Sequence, residues 1–174
     1  MKIGFTYDLR HDYLKRGFTE EETAEFDSEE TIRFLAEAIA GLGHEVIRIG
    51  GVYELIPRLA KGESWDLVFN ITEGLYGRSR ESQVPALLEA YEIPYTFSDA
   101  LTLGLSLEKS LTKKIIRDSG LPTPAFFTIP SKEALEKTVL SENIPYPLFI
   151  KPVSEGTGKG VTPESIVHEP ADFK

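Results

Sequence analysis

The stretch Tyr146 to Val161, Tyr-Pro-Leu-Phe-Ile-Lys-Pro-Val-Ser-Glu-Gly-Thr-Gly-Lys-Gly-Val, constrains this chain more than any other. Leu148, Phe149 and Ile150 form a short apolar run that ends in one cation, Lys151, and Pro152 then stops further ladder pairing. The pattern predicts a buried strand that delivers a lysine. Gly156, Gly158 and Gly160 follow, alternating with Thr157 and Lys159, so the backbone can take positive φ and bring its N–H groups close to an anion. A strand lysine beside such a loop reads as a phosphate grip. The glycines alone are also compatible with a plain hairpin whose lysines face water.

Two common glycine motifs are excluded by spacing. A G-x-x-x-x-G-K-[ST] loop would need glycine at Val153 and a hydroxyl residue at Gly160. A dinucleotide fingerprint would need glycine at Val161 and a helix where Thr162-Pro163 stands.

Upstream, strand and helix patterns alternate. Lys2 to Tyr7 reads as a strand, followed by a polar turn with Asp8, Arg10, His11 and Asp12. Lys15 to Glu25 has no clear period and reads as a mobile excursion. Asp27-Ser28-Glu29-Glu30 resembles a capping box before an amphipathic helix carrying Ile32, Leu35, Ala36, Ile39 and Leu42. His44 to Ile49 is a second strand, and Val52 to Leu59 a short helix whose first turn and boundaries Pro57 leaves open. Trp65 to Asn70 is a third strand, with a polar loop from Thr72 to Ser82 beyond its end. A helix with Val84, Leu87, Leu88 and Tyr91 on one face and a fourth strand, Ile93 to Phe97, complete the series. The βαβαβαβ order predicts a parallel α/β sheet covered by helices on both faces. Ligands of such sheets bind beyond the strand C-termini, where Tyr7 to Asp12 and Thr72 to Ser82 would lie.

Ser98-Asp99 caps a further helical turn, and a helix over Leu105 to Ser119 carries Lys109, Lys113, Lys114 and Arg117 with most of its cations toward solvent. Gly120, Pro122 and Pro124 mark a change of architecture, so the boundary falls near Lys109: one domain over 1–108 and an incomplete one over 109–174. In the second, Phe126 to Ile129 reads as a strand and Ser131 to Val139 as a capped helix. The residues after Val161 are too few to close a second core, which reads as a fragment.

Composition narrows the function classes. A net charge of -9 argues against a nucleic-acid or anionic-membrane binder. The absence of cysteine removes disulfides and thiolate metal sites, and His11, His44 and His168 have no zinc-ligand spacing. No apolar run is long enough for a membrane-spanning helix and no signal-peptide core opens the chain, so a cytoplasmic protein is expected.

Several ordered stretches carry a resemblance: Asp66-Leu67-Val68-Phe69-Asn70, Glu81-Ser82-Gln83-Val84-Pro85-Ala86-Leu87-Leu88-Glu89, Ile93 to Ser98, Leu107-Glu108-Lys109 and Phe149-Ile150-Lys151-Pro152. Together they resemble the D-alanine–D-alanine ligases of the ATP-grasp superfamily. The resemblance implies a Rossmann-like N-terminal domain, then a small α+β ATP-grasp subdomain that is incomplete here. It implies ATP with Mg²⁺ as cofactors, metal ligands beyond residue 174, small amino acids as substrates, an acyl-phosphate intermediate, a place in peptidoglycan biosynthesis and homodimer contacts through the N-terminal domain. By the same likeness Lys109 and Lys151 contact nucleotide phosphates, and Glu155, Gly156, Thr157, Gly158, Lys159 and Gly160 form the loop that closes over the γ-phosphate. Glu81 matches a position near the substrate, though a glutamate at a helix start needs no other reason. The sequence departs from the family at Thr6 to Arg10, where a glycine- and serine-containing loop is usual, at Glu73, where histidine is frequent, and at Thr157-Gly158-Lys159. Glu73 or Asp8 could therefore hold a different amine. Two other readings stay open: a ligase of another amino acid or peptide, and a non-catalytic binding or assembly module.

Overall fold

The computed structural model describes residues 1–131, 133–134 and 145–172. The chain divides into two compact units, Met1–Leu107 and Glu108–Lys174.

In the first unit, β1 (Lys2–Tyr7) lies between β2 (Glu45–Gly50) and β3 (Leu67–Ile71), and all pairing is parallel. Ile3 stands opposite Val46 on one side and Leu67 on the other, so the three strands start level. Alternation along the strands separates two cores. Phe5 and Tyr7 pack with Ile32 of α2 (Glu29–Gly41), and Leu35, Ala36 and Phe69 close that face. Val68 packs on the other face with Leu55 and Leu59 of α3 (Val52–Ala60) and Val84 and Leu88 of α4 (Gln83–Ala90). Gly4 serves this second face by having no side chain: a Cβ there would stand 2.8 Å from Ile49 Cδ1 and 2.9 Å from Trp65 Cγ. Ser28 caps α2 by accepting the Thr31 amide at 3.1 Å, so the cap falls one residue inside the expected box and has Thr31, not a glutamate, three residues on.

The fourth strand is a correction. Ile93 to Phe97 forms one parallel bridge, Tyr95 with Val68, through Val68 N–H to Pro94 O at 2.8 Å and Thr96 N–H to Val68 O at 2.9 Å. At the next rung a side chain takes over, the Asn70 amide donating to Thr96 Oγ1 at 3.1 Å, and Phe97 at φ 72° turns the backbone away. A second correction concerns the turn after β1, which is a short helix, α1 (Arg10–Lys15), with Tyr13 buried. A third concerns the excursion to Glu25. It is a run of turns that buries Thr23, Glu25 and Phe26. Arg10 holds it by donating to the carbonyls of Thr23 at 2.9 Å and Ala24 at 2.6 Å, and Tyr13 packs on Phe26 with ring centroids 4.5 Å apart. Neither kind of fastener produces an apolar period, which is why the sequence shows none.

α5 (Ala100–Leu107) starts on the predicted Asp99 cap, which accepts the Thr102 amide at 2.7 Å. The helix expected over 105–119 is broken at Glu108, whose backbone is extended, and α6 (Lys109–Asp118) begins after it.

In the second unit, β4 (Leu148–Phe149) and β5 (Ile166–Val167) form an antiparallel pair. The strand expected at Phe126 to Ile129 joins no ladder among the described residues. It lies between Pro124 and Pro130, which lack N–H donors, and it meets α6 through side chains instead, with Lys113 over the Phe126 ring at 5.2 Å and donating to Thr123 Oγ1 at 2.9 Å. The helix expected over Ser131 to Val139 lies largely outside the described residues.

Candidate functional site

Two groups of candidate residues stand on the two units. The first lies beyond the C-terminal ends of β1 and β3. Asn70 orients the loop there, its Oδ1 accepting from Thr6 Oγ1 and from Thr72 Oγ1, each at 2.8 Å. Asp8, 2% exposed, is the internal hub. Its Oδ2 accepts the amides of Glu73 at 3.0 Å and Gly74 at 2.9 Å, and its Oδ1 accepts the Tyr13 hydroxyl at 2.7 Å. Burial, reinforced by the Asp8 charge, pushes the Tyr13 hydroxyl well above its ordinary pKa. Asp8 is thus engaged in holding loops together, which corrects its reading as an amine holder.

Around Glu73 act the charges of Asp8, Glu81, Glu25 and Arg80. Arg80 Nη2 meets Glu25 Oε2 at 2.7 Å, with side-chain exposures of 7% and 2%. Gly74 at φ 68° lets the loop pass close to this pair, since a Cβ there would stand 2.7 Å from the Arg80 carbonyl. Glu73 is pushed up to about 7, first by burial and then by the charges of Glu81, Glu25 and Asp8, with Arg80 opposing. Glu73 and Glu81 therefore come together as electrostatic neighbours. Glu25 was missed by the sequence reading because its partner is 55 residues away in sequence.

The second group surrounds the glycine segment. Here the expected buried strand is corrected: β4 spans two residues, and Phe149 and Ile150 are 57% and 41% exposed. The Ile150 amide still reaches Ser165 O at 2.8 Å, and Lys151 follows as an exposed residue. Lys151 and Gly160 line one shallow depression of about 380 Å³ together with Ile150, Pro152, Thr162, Ser165 and the acidic Glu164. The segment is closed by two turns, Lys159 N–H to Gly156 O at 2.9 Å and Val161 N–H to Gly158 O at 3.0 Å. Positive φ occurs at Gly158 and Gly160 as expected, but at Thr157 rather than Gly156.

Lys109 does not face solvent. Its ammonium donates to the Glu155 carbonyl and, at 3.5 Å, to the Val153 carbonyl, while its amide donates to Val153 O at 3.0 Å. Glu108 adds two ties by accepting from Ser110 Oγ at 2.7 Å and Ser154 Oγ at 2.9 Å. Lys159 Nζ lies 3.1 Å from Glu155 Oε2. Glu108 belongs to the Leu-Glu-Lys motif, yet nothing in the sequence pointed to Ser110 and Ser154 as its partners. Among the described residues no group of three or more acidic, histidine or cysteine side chains could hold a metal ion. No helix among the described residues is long and apolar enough to cross a membrane.

This arrangement, a parallel α/β unit followed by a small unit with a lysine beside a glycine turn, defines an ATP-grasp-type chain. The chain is similar in sequence and in fold to D-alanine–D-alanine ligases. It is 35% identical over 126 residues to the D-alanine–D-alanine ligase of Xylella fastidiosa, a match over 68% of this chain and 41% of that protein. An uncharacterised protein of Sinorhizobium fredii is 33% identical over 144 residues, covering 79% of this chain and 40% of that one. The crystal structure of the Bacillus anthracis D-alanine–D-alanine ligase aligns with a TM-score of 0.64 and 25% identity over 99% of this chain and 51% of that one. A structure of the same enzyme complexed with ATP aligns with a TM-score of 0.54 at 22% identity. No protein-family model matches. The chain spans about 40% of the length of these curated relatives.

Proposed function

We propose that the chain is the N-terminal part of an ATP-dependent carboxylate–amine ligase. In this reading the second unit, residues 108–174, grips the nucleotide and the first, residues 1–107, contributes to the amino-acid site and to homodimer contacts in the cytoplasm. The observation that carries it is the shared depression of Lys151 and Gly160, which sets a point cation beside a glycine turn. Lys151 pairs with the phosphates, a role that suits a compact ammonium. Glu155 to Gly160 and Lys109 complete the grip, Lys109 by tethering its base. The step is transfer of the γ-phosphoryl group to a substrate carboxylate, giving ADP and an acyl phosphate. An amine then attacks the carbonyl carbon, releasing phosphate and a proton and forming the amide. Positioning and charge neutralisation supply most of the catalysis in such transfers.

Glu73 and Glu81 supply the substrate side, where two adjacent carboxyl groups suit an ammonium. The amine need not be D-alanine, because Glu73 stands where the family frequently has histidine. Mg²⁺ accompanies the ATP and finds its ligands beyond residue 174. The 174-residue chain is accordingly expected to release no phosphate from ATP in the presence of D-alanine. Calorimetric titration of the purified chain with ATP tests the grip. Binding that Lys151→Ala abolishes supports it, and binding indifferent to that change removes it.

A further inference from the structure

The segment 153–161 is held at one end and poised at the other. Its base is tied to the start of α6 by Lys109 and by the Ser154–Glu108 hydrogen bond. Its tip carries two turns of its own, with Thr157 at φ 45°, a strained conformation for a β-branched residue. Among the described residues, the amides of Thr157, Gly158 and Gly160 meet no acceptor. Between base and tip runs the ion pair of Glu155 and Lys159, 3.1 Å long, with side-chain exposures of 33% and 19%.

An anion arriving at those amides meets two opposite charges. Lys159 attracts it, and the Glu155 carboxylate repels it while occupying the same ammonium. A terminal phosphate carries more negative charge and more acceptor oxygens than a carboxylate, so it wins the exchange. We propose that Glu155 is a resident counter-ion for Lys159, that a nucleotide's terminal phosphate displaces it, and that this exchange lowers the apparent affinity for nucleotide. Glu155 is then a positioning residue, holding Lys159 where the phosphate will take it, and Lys159 is the binding residue. The inference rests on the nucleotide reading above and adds to it a built-in competitor.

The test is a double-mutant cycle on the 174-residue chain, read by calorimetric titration with inorganic tripolyphosphate and with ATP. Lys159→Met weakens binding roughly 10- to 100-fold, as the loss of a charge-assisted hydrogen bond does. Glu155→Gln tightens it roughly 2- to 5-fold, the worth of a partly exposed ion pair. In the Lys159→Met background Glu155→Gln has no effect, and Glu155→Asp restores the weaker binding. Amide NMR shifts of Thr157, Gly158 and Gly160 on titration report the tip directly and verify that each variant is folded. If Glu155→Gln weakens binding, or acts equally in both backgrounds, the exchange is wrong while the nucleotide grip stands. If no variant and not the parent chain binds either polyphosphate, both fall.

Discussion

The loops beyond β1 and β3 and the glycine segment of the second unit both place charged groups in irregular backbone, but they secure them by different means. In the first unit Glu25 and Arg80 meet inside the protein, where each is nearly inaccessible to water. In the second, Glu155 and Lys159 meet where water still reaches both. A buried pair is hard to separate because either partner alone is left as an uncompensated charge. A partly exposed pair separates easily because water or another ion replaces the partner. The first arrangement fixes a loop, and the second leaves a cation available for exchange.

Arg80→Met attacks this contrast at its strongest point. It leaves Glu25 without its arginine and is expected to cost about 3–5 kcal/mol, measured by urea unfolding followed through Trp65, the chain's one tryptophan, which lies buried in the first unit. A loss below 1 kcal/mol would place the two pairs in the same class.

The next largest effect is that of pH. Glu73 is raised in the folded state from 4.5 to about 7, so the folded form holds a proton that the unfolded form releases. Its contribution is therefore full below pH 4.5 and is lost as pH rises to about 7, after which it is flat. Glu73→Gln is expected to remove this slope from the same Trp65 unfolding curves, and a slope unchanged by the substitution would show that Glu73 is not its source. Lys109→Met, which removes the ammonium from the Val153 and Glu155 carbonyls, is expected to cost about 1.5–3 kcal/mol. Hydrogen exchange of residues 153–161 measures it, and unchanged protection there would mean that the segment holds its shape without the tether. The smallest effect is that of Glu155→Gln on stability in the absence of nucleotide, below about 1 kcal/mol. A larger loss in thermal unfolding would make the pair structural.

The regular parts of the fold were legible in the sequence for a physical reason. Phe5 and Tyr7 alternate with Gly4 and Thr6, and Ile32, Leu35 and Ala36 recur at helical spacing, because each set has one face to bury. The stretch 93–97 looked like a strand by composition, yet Pro94 and the turned backbone at Phe97 limit it to one bridge. The residues from Lys15 to Glu25 had no period to read, since a cation on carbonyls and aromatic edges hold them. At the candidate site, the positive φ at Gly158 and Gly160 was legible in the glycine spacing. The direction of Lys109 was not, because its acceptors are main-chain carbonyls 44 and 46 residues further on, and any residue type provides a carbonyl.

Gly160 carries one more consequence. A methyl group on its Cα would strike Pro152 Cγ at 2.7 Å, so the far limb of the turn leans directly on the residue that follows Lys151. Pressure on that limb is transmitted to the lysine's own main chain. An alanine there would wedge the two apart and shift the cation without altering a single charge.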